Sequence, residues 1–209
     1  MVGHGRRAAR LSVGSAIAAG AWLLPFAAPV AAHENQVIRF GSFLGGLFHP
    51  ALGPDHLLAM LSVGILSVQI GRRAILTVPA TFVCVMAVGG AIGLFTSAIP
   101  MSAVELGISL SVLILGLIIA LARRMPVRLA MVAVGFFATF HGYAHGVETP
   151  RIAEPAQYVA GFLLGTAIIH ILGVLIGEVA IHYDRGPRVL RAGGALIALA
   201  GALFLIGIV

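Results

Sequence analysis

The chain of 209 residues is 60% hydrophobic and only 10% charged, with 13 basic residues, seven acidic residues and one cysteine. Soluble domains carry about 25% charged residues, so this composition identifies an integral membrane protein. The formal charge of +6 does not indicate nucleic acid, because every basic residue is arginine and the arginines cluster between apolar runs, where they report topology.

Residues 1–32 read as a secretory signal. Arg6, Arg7 and Arg10 form a basic start, an apolar stretch follows, and Val30-Ala31-Ala32 offers small residues for cleavage. The Arg6-Arg7 pair alone does not make a twin-arginine signal. Cleavage removes His4 and exposes His33 as a new N-terminus, where an amine and an imidazole together can chelate a metal. The alternative is an uncleaved first span.

Between Arg39 and Arg72 lies an apolar segment longer than one span. As a continuous helix it would measure ~48 Å, against a hydrocarbon core of ~30 Å. The excess coincides with His49-Pro50-Ala51-Leu52-Gly53-Pro54-Asp55-His56, where two prolines and a glycine predict a break at His49–Pro54. A helix can restart at Pro54, since proline is accepted in a first turn. Asp55 then lies in that turn, stabilised by the helix dipole. His56 and Met60, four residues apart, share a face. Ionisable groups inside a membrane segment are expensive and point to function, here a metal-ligand cluster.

Five further spans are expected near 75–97, 103–122, 127–145, 156–181 and 191–209. Arg72, Arg73, Arg123, Arg124, Arg128, Arg185, Arg188 and Arg191 fall in alternate loops, and only Arg39 and Arg151 in the opposite ones. The positive-inside rule puts those eight in the cytoplasm and both mature termini outside, together with the His49–His56 motif. Gly89/Gly93, Gly161/Gly165 and Gly173/Gly177 have spacings suited to close helix contacts. Cys84, in an apolar run, reads as a core residue and can form no intrachain disulfide.

The fourth span ends in a second polar group, His141, His145 and Glu148, spaced four and three so as to form one stripe if the helix persists. Gly142 and Gly146 between them either admit a neighbouring backbone or loosen the helix end. Deep in the fifth span is His170, a candidate relay or secondary metal ligand, as are Met60 and His33. Glu178 shares its face. Glu105 reads as a charge at a helix start, and His182 and Asp184 as interfacial.

Imidazole suits zinc, copper, iron and nickel, and carboxylates extend the set toward harder ions. Neither motif contains cysteine, against a Cys-rich structural zinc site. At both motifs the chain resembles a known family. His49-Pro-x-x-Gly53-x-Asp55-His56 and His141-Gly-x-Ala-His145-Gly-x-Glu148 look like the signatures of the HupE/UreJ family, hydrogenase and urease accessory membrane proteins. The resemblance covers the presequence, six spans and both motifs in order. It implies a secondary nickel or cobalt permease, with metal-binding roles for His49, Asp55, His56, His141, His145 and Glu148. The nickel/cobalt transporters, with His-x4-Asp-His, are a looser match to the His49-x5-Asp55-His56 spacing here. Where the family often shows histidine this chain has Tyr143, which implies a retuned second cluster.

The expectation is therefore an all-α integral membrane protein: a signal peptide over 1–32, then a six-helix permease domain over 33–209 whose first helix is broken at His49–Pro54. It would sit in a bacterial inner membrane and carry Ni2+ or Co2+ inward as cargo, with no permanently bound cofactor. Its partners would be the metal ion and the bilayer, not nucleic acid, with a homo-oligomer open and metalloenzyme maturation proteins served indirectly. No GxxxxGK[ST] pattern occurs, so ATP is not the direct driver. Two alternatives use the same residues: a membrane metalloenzyme activating water at an open metal position, and a haem-binding electron carrier with paired axial histidines.

Overall fold

The computed structural model describes residues 41–123, 125–149 and 154–207. The signal-peptide reading of 1–32, and His33 with it, lies outside the described residues. Seven helices and no strand are present among them. They are α1 (Ser42–Leu52), α2 (Pro54–Ile70), α3 (Ala74–Phe95), α4 (Met101–Leu121), α5 (Val127–Val147), α6 (Pro155–Ile181) and α7 (Gly186–Leu205). The five from α3 to α7 are long and apolar enough to cross a membrane, and α1 with α2 supplies a sixth span if the bent pair is taken as one.

The break in the first span differs from expectation. Pro50 lies inside α1, so the helix carries His49 and runs on to Leu52; the interruption is Gly53 alone, and the axis turns by 81°. A proline two residues from a helix end removes only one ladder bond, and the Pro50 ring is buried beside Gly165 of α6. The helix does restart at Pro54, with Asp55 in its first turn.

The last helix also begins earlier than the arginines imply, at Gly186 rather than 191, with Pro187 in its first turn. Arg191 is therefore helical, and its Nε donates to the carbonyl of Ala120 at the end of α4, 2.9 Å away. That carbonyl belongs to the last turn of α4, where no intrahelical donor remains and a cation is favoured.

Helix pairing is set by backbone approach. A Cβ on Gly161 would collide with the Phe43 carbonyl of α1, and one on Gly173 with the Leu61 carbonyl of α2. Thus α1 packs on the first half of α6 and α2 on the second. Gly142 and Gly146 serve the same purpose for α5: added Cβ atoms would strike the carbonyls of Met86 and Gly90 on α3. They do not loosen the helix, which persists to Val147. Such contacts are the main source of affinity between helices where the solvent is as apolar as the side chains. The core between the pairs is formed by Ala59, Met60, Val63, Phe82, Met86, Val112, Leu115 and Val134, all almost fully buried. Cys84, expected in this core, is exposed on the surface of α3 instead. Helix-period sequence alone could not say which face of α3 turns outward, because that helix is apolar all round.

Candidate metal site

The α1–α2 junction, the start of α4 and the end of α5 meet at one end of the bundle, opposite the arginine-bearing turns. A cavity of about 220 Å3 opens there, lined by His49, Asp55, His56, Glu105, His145 and Glu148 among others. Both sequence motifs therefore converge, although 96 residues separate His49 from His145.

The imidazoles form a contiguous line. Ring centroids are 5.0 Å apart for His49 and His145, 4.4 Å for His145 and His56, and 4.7 Å for His56 and His141. His49 Nε2 and His145 Nδ1 are separated by 3.2 Å. Two nitrogens bound to one ion at ~2.0–2.1 Å would lie about 3.0–3.4 Å apart, so this pair already has the spacing of adjacent ligands. One ligand atom from each of His49, His145 and Glu148 falls within 4.8 Å of the others.

His56 and His141 each commit one nitrogen to a protein partner and leave the other over. His56 Nδ1 is 2.9 Å from Asp55 Oδ1, which also accepts the backbone N–H of His56 at 2.8 Å. A carboxylate only accepts, so Nδ1 carries a proton toward Asp55 and Nε2 is the nitrogen turned into the cluster. Ser111 Oγ donates its single proton to the Ile108 carbonyl at 2.6 Å, and so accepts from His141 Nε2–H at 2.9 Å, leaving Nδ1 of His141 as the lone pair. His56 Nε2, His141 Nδ1 and His145 Nε2 are all buried without a hydrogen-bond partner. Buried polar atoms are almost always paired, so three orphans in one cluster call for a ligand. A carboxylate behind His56 and a hydroxyl behind His141 are also how metal-binding histidines are held.

Gly53 is the hinge that lets this happen: a Cβ there would press on Asp55 Oδ1 at 3.0 Å and His56 Nδ1 at 3.2 Å. The helix N-terminus behind Asp55 favours its negative charge. Tyr158 and Phe162 of α6 wall the cluster, with ring centroids 5.8 Å and 6.2 Å from His49.

The remaining singled-out residues divide. Met60 lies wholly inside the apolar core, away from the cavity lining. Tyr143 does not face the cluster; its hydroxyl accepts from the Ile99 N–H at 3.0 Å, tying α5 to the α3–α4 turn. His182 caps α6 from an exposed position. His170 is buried apart from the line, its Nδ1 donating to the Thr166 carbonyl at 2.8 Å.

Three contributors escaped sequence reasoning. Glu105, read as a helix-start charge, lines the cavity with the other two carboxylates. Ser111 holds His141; its signal was a serine within an apolar helix, where polar side chains usually bond their own backbone. Phe82 touches both His141 and His170, and nothing in an all-apolar stretch distinguished it.

Together these features define a multi-pass helical membrane protein with a buried imidazole cluster opening at one end. The HupE / UreJ protein family matches residues 21–204. Protein HupE of Rhizobium leguminosarum bv. viciae is 42% identical over 186 residues, covering 88% of this chain and 95% of that protein. The chain belongs to the HupE/UreJ family. No solved structure matches it.

Proposed function

We propose that the protein is a permease for a divalent transition metal, nickel or cobalt first, which it carries into the cytoplasm for hydrogenase- or urease-type enzyme maturation. The observation that carries this reading is the set of orphaned imidazole nitrogens of His56, His141 and His145 beside a cavity bearing three carboxylates. The carboxylates of Asp55, Glu105 and Glu148 attract and partly dehydrate the cation at the mouth. His49, His145 and Glu148 take it first, and His56 and His141 accept it one ring further in. The arginine distribution supports an outward-facing mouth, with both ends of the mature chain outside and the arginine turns in the cytoplasm.

A dication entering down an inside-negative potential gains roughly 4.6 kcal/mol per 100 mV, enough to drive uptake without ATP. The metal is cargo, so nitrogen-rich sites that can exchange ligands stepwise suit it better than one closed shell. Transport is favoured over turnover at a bound metal because a further buried imidazole with an unpartnered nitrogen, His170, lies inward of His141. A hydrolytic site needs one open position and has no use for that further imidazole.

The test is uptake of radiolabelled nickel, cobalt and zinc into proteoliposomes with an imposed potential. The expected result is potential-dependent accumulation of nickel or cobalt that His56→Ala abolishes. Binding without accumulation under any potential would overturn the permease reading.

A further inference from the structure

The imidazole line stops at His141. The next histidine inward, His170 on α6, does not touch it; the Phe82 ring stands between, its centroid 5.4 Å from His141 and 4.9 Å from His170. Phe82 is fully buried. His170 repeats the pattern of the outer rings: Nδ1 is bonded to the Thr166 carbonyl, and Nε2 is buried without a partner. Thr166 Oγ, one turn away on the same face, is also buried and unpartnered. Two orphaned polar groups in mid-span make a second, separate polar station.

Beyond His170 the packing loosens. A groove of about 520 Å3 between α3 and α6 runs from His170 to Pro79 and to Ile75 in the first turn of α3, and it opens on the outer face of the bundle, where Leu76, Cys84 and Ile171 are exposed. Pro79 is three residues before Phe82 and lies inside α3. Its missing N–H leaves the Ile75 carbonyl without a ladder partner, and proline is the commonest cause of a bend in a helix. Phe82 is thus carried on the segment of α3 just past its weakest point.

The geometry points to Phe82 as the barrier that separates the outer imidazole cluster from an inner station formed by His170 and Thr166. This rests on the permease reading and adds its rate-controlling element. The cation is held at His56 and His141 while the ring blocks it. A change of bend at Pro79 moves the ring aside, and the ion passes to His170 Nε2. A bulky apolar ring at this point also gives selectivity, because a hydrated ion cannot pass it, whereas one stripped by the outer imidazoles can.

The test separates the barrier from transport. In a Cys84→Ala background, since that thiol is exposed, His170→Cys is reconstituted in vesicles and treated with silver ion from the side on which the His49–His145 cavity opens. Unreacted thiol is then counted after quenching and denaturation. With Phe82 present the thiol should react slowly; Phe82→Leu should speed reaction at least tenfold and Phe82→Ala more, each variant first shown monodisperse. If Phe82→Ala does not fold, Phe82→Leu decides alone. Equal rates with phenylalanine and leucine would overturn the barrier. In the second arm, Phe82→Trp should cut nickel uptake at least tenfold while nickel binding at the outer cluster stays within threefold. Normal uptake by Phe82→Trp would also overturn it. The thiol arm needs no metal transport, so a wild type that accumulates no nickel removes the permease reading and leaves the barrier standing on its own result.

Discussion

If His56 and His141 bind one ion, removing either should largely remove the other's contribution. Their rings meet edge to face at 4.7 Å, and each turns an unpartnered nitrogen into the cluster. Loss of a partner that merely orients a metal ligand costs about 10–100-fold in affinity, or ~1.4–2.7 kcal/mol. A direct ligand should cost at least that much. Two independent ligands would then lose about 10²–10⁴-fold together, whereas groups in contact show coupling of ~0.5–3 kcal/mol. We expect the His56→Ala/His141→Ala double variant to bind no more than about tenfold more weakly than the worse single. The fold should survive His141→Ala, because Ser111 keeps its bond to the Ile108 carbonyl and no new orphan is created there. The assay is calorimetric nickel binding by wild type, both singles and the double in detergent, with thermal melts on each and initial uptake rates at matched membrane abundance. A double-variant loss equal to the product of the singles, in affinity and in rate, would refute the shared site. Wild-type uptake by either single would remove that residue from the route.

Ser111→Ala takes away the acceptor that fixes the His141 tautomer, and nickel affinity should fall about 10–100-fold; nitrogen NMR of the imidazole should show the tautomer becoming mixed, and an unchanged spectrum would remove Ser111 from that role. Tyr143→Phe loses its bonds to Ile99 on the α3–α4 turn and should cost roughly 1 kcal/mol of stability, lowering the melting temperature while nickel affinity stays within about twofold. A large affinity loss would place Tyr143 in the cluster after all. Gly142→Ala drives a methyl into the Met86 carbonyl and should destabilise by about 1–3 kcal/mol, read as a melting shift of the detergent-solubilised protein. Gly53→Ala should weaken nickel binding more than it lowers the melting temperature, because the added carbon presses on Asp55 and His56 rather than on a helix interface. The reverse ordering would make Gly53 a purely structural break.

The class and most of the outline of the protein follow from one-dimensional facts. Apolar runs of span length, arginines confined to alternate loops, and polar groups placed where lipid makes them expensive are local properties of the chain. Proline at 54 followed by aspartate at 55 suits the first turn of a helix through local geometry and the helix dipole, and α2 begins there. The four-and-three spacing of His141, His145 and Glu148 places them on one stripe by helix geometry alone. Only the tertiary structure decided what each group faces. Pro50 could be tolerated within α1 because α6 offers Gly165 beside its ring, a fact recorded over a hundred residues away. Gly142 and Gly146 became contact points because α3 supplies facing carbonyls, where the sequence allowed fraying equally. Tyr143 turned to Ile99 and Met60 into the core, because a helix offers every side chain some neighbour and packing selects which. Ser111, Glu105 and Phe82 acquired their positions in the same way: in uniformly apolar helices the periodicity that would mark an inward face is nearly absent, so the face is chosen by the fit of one helix against another.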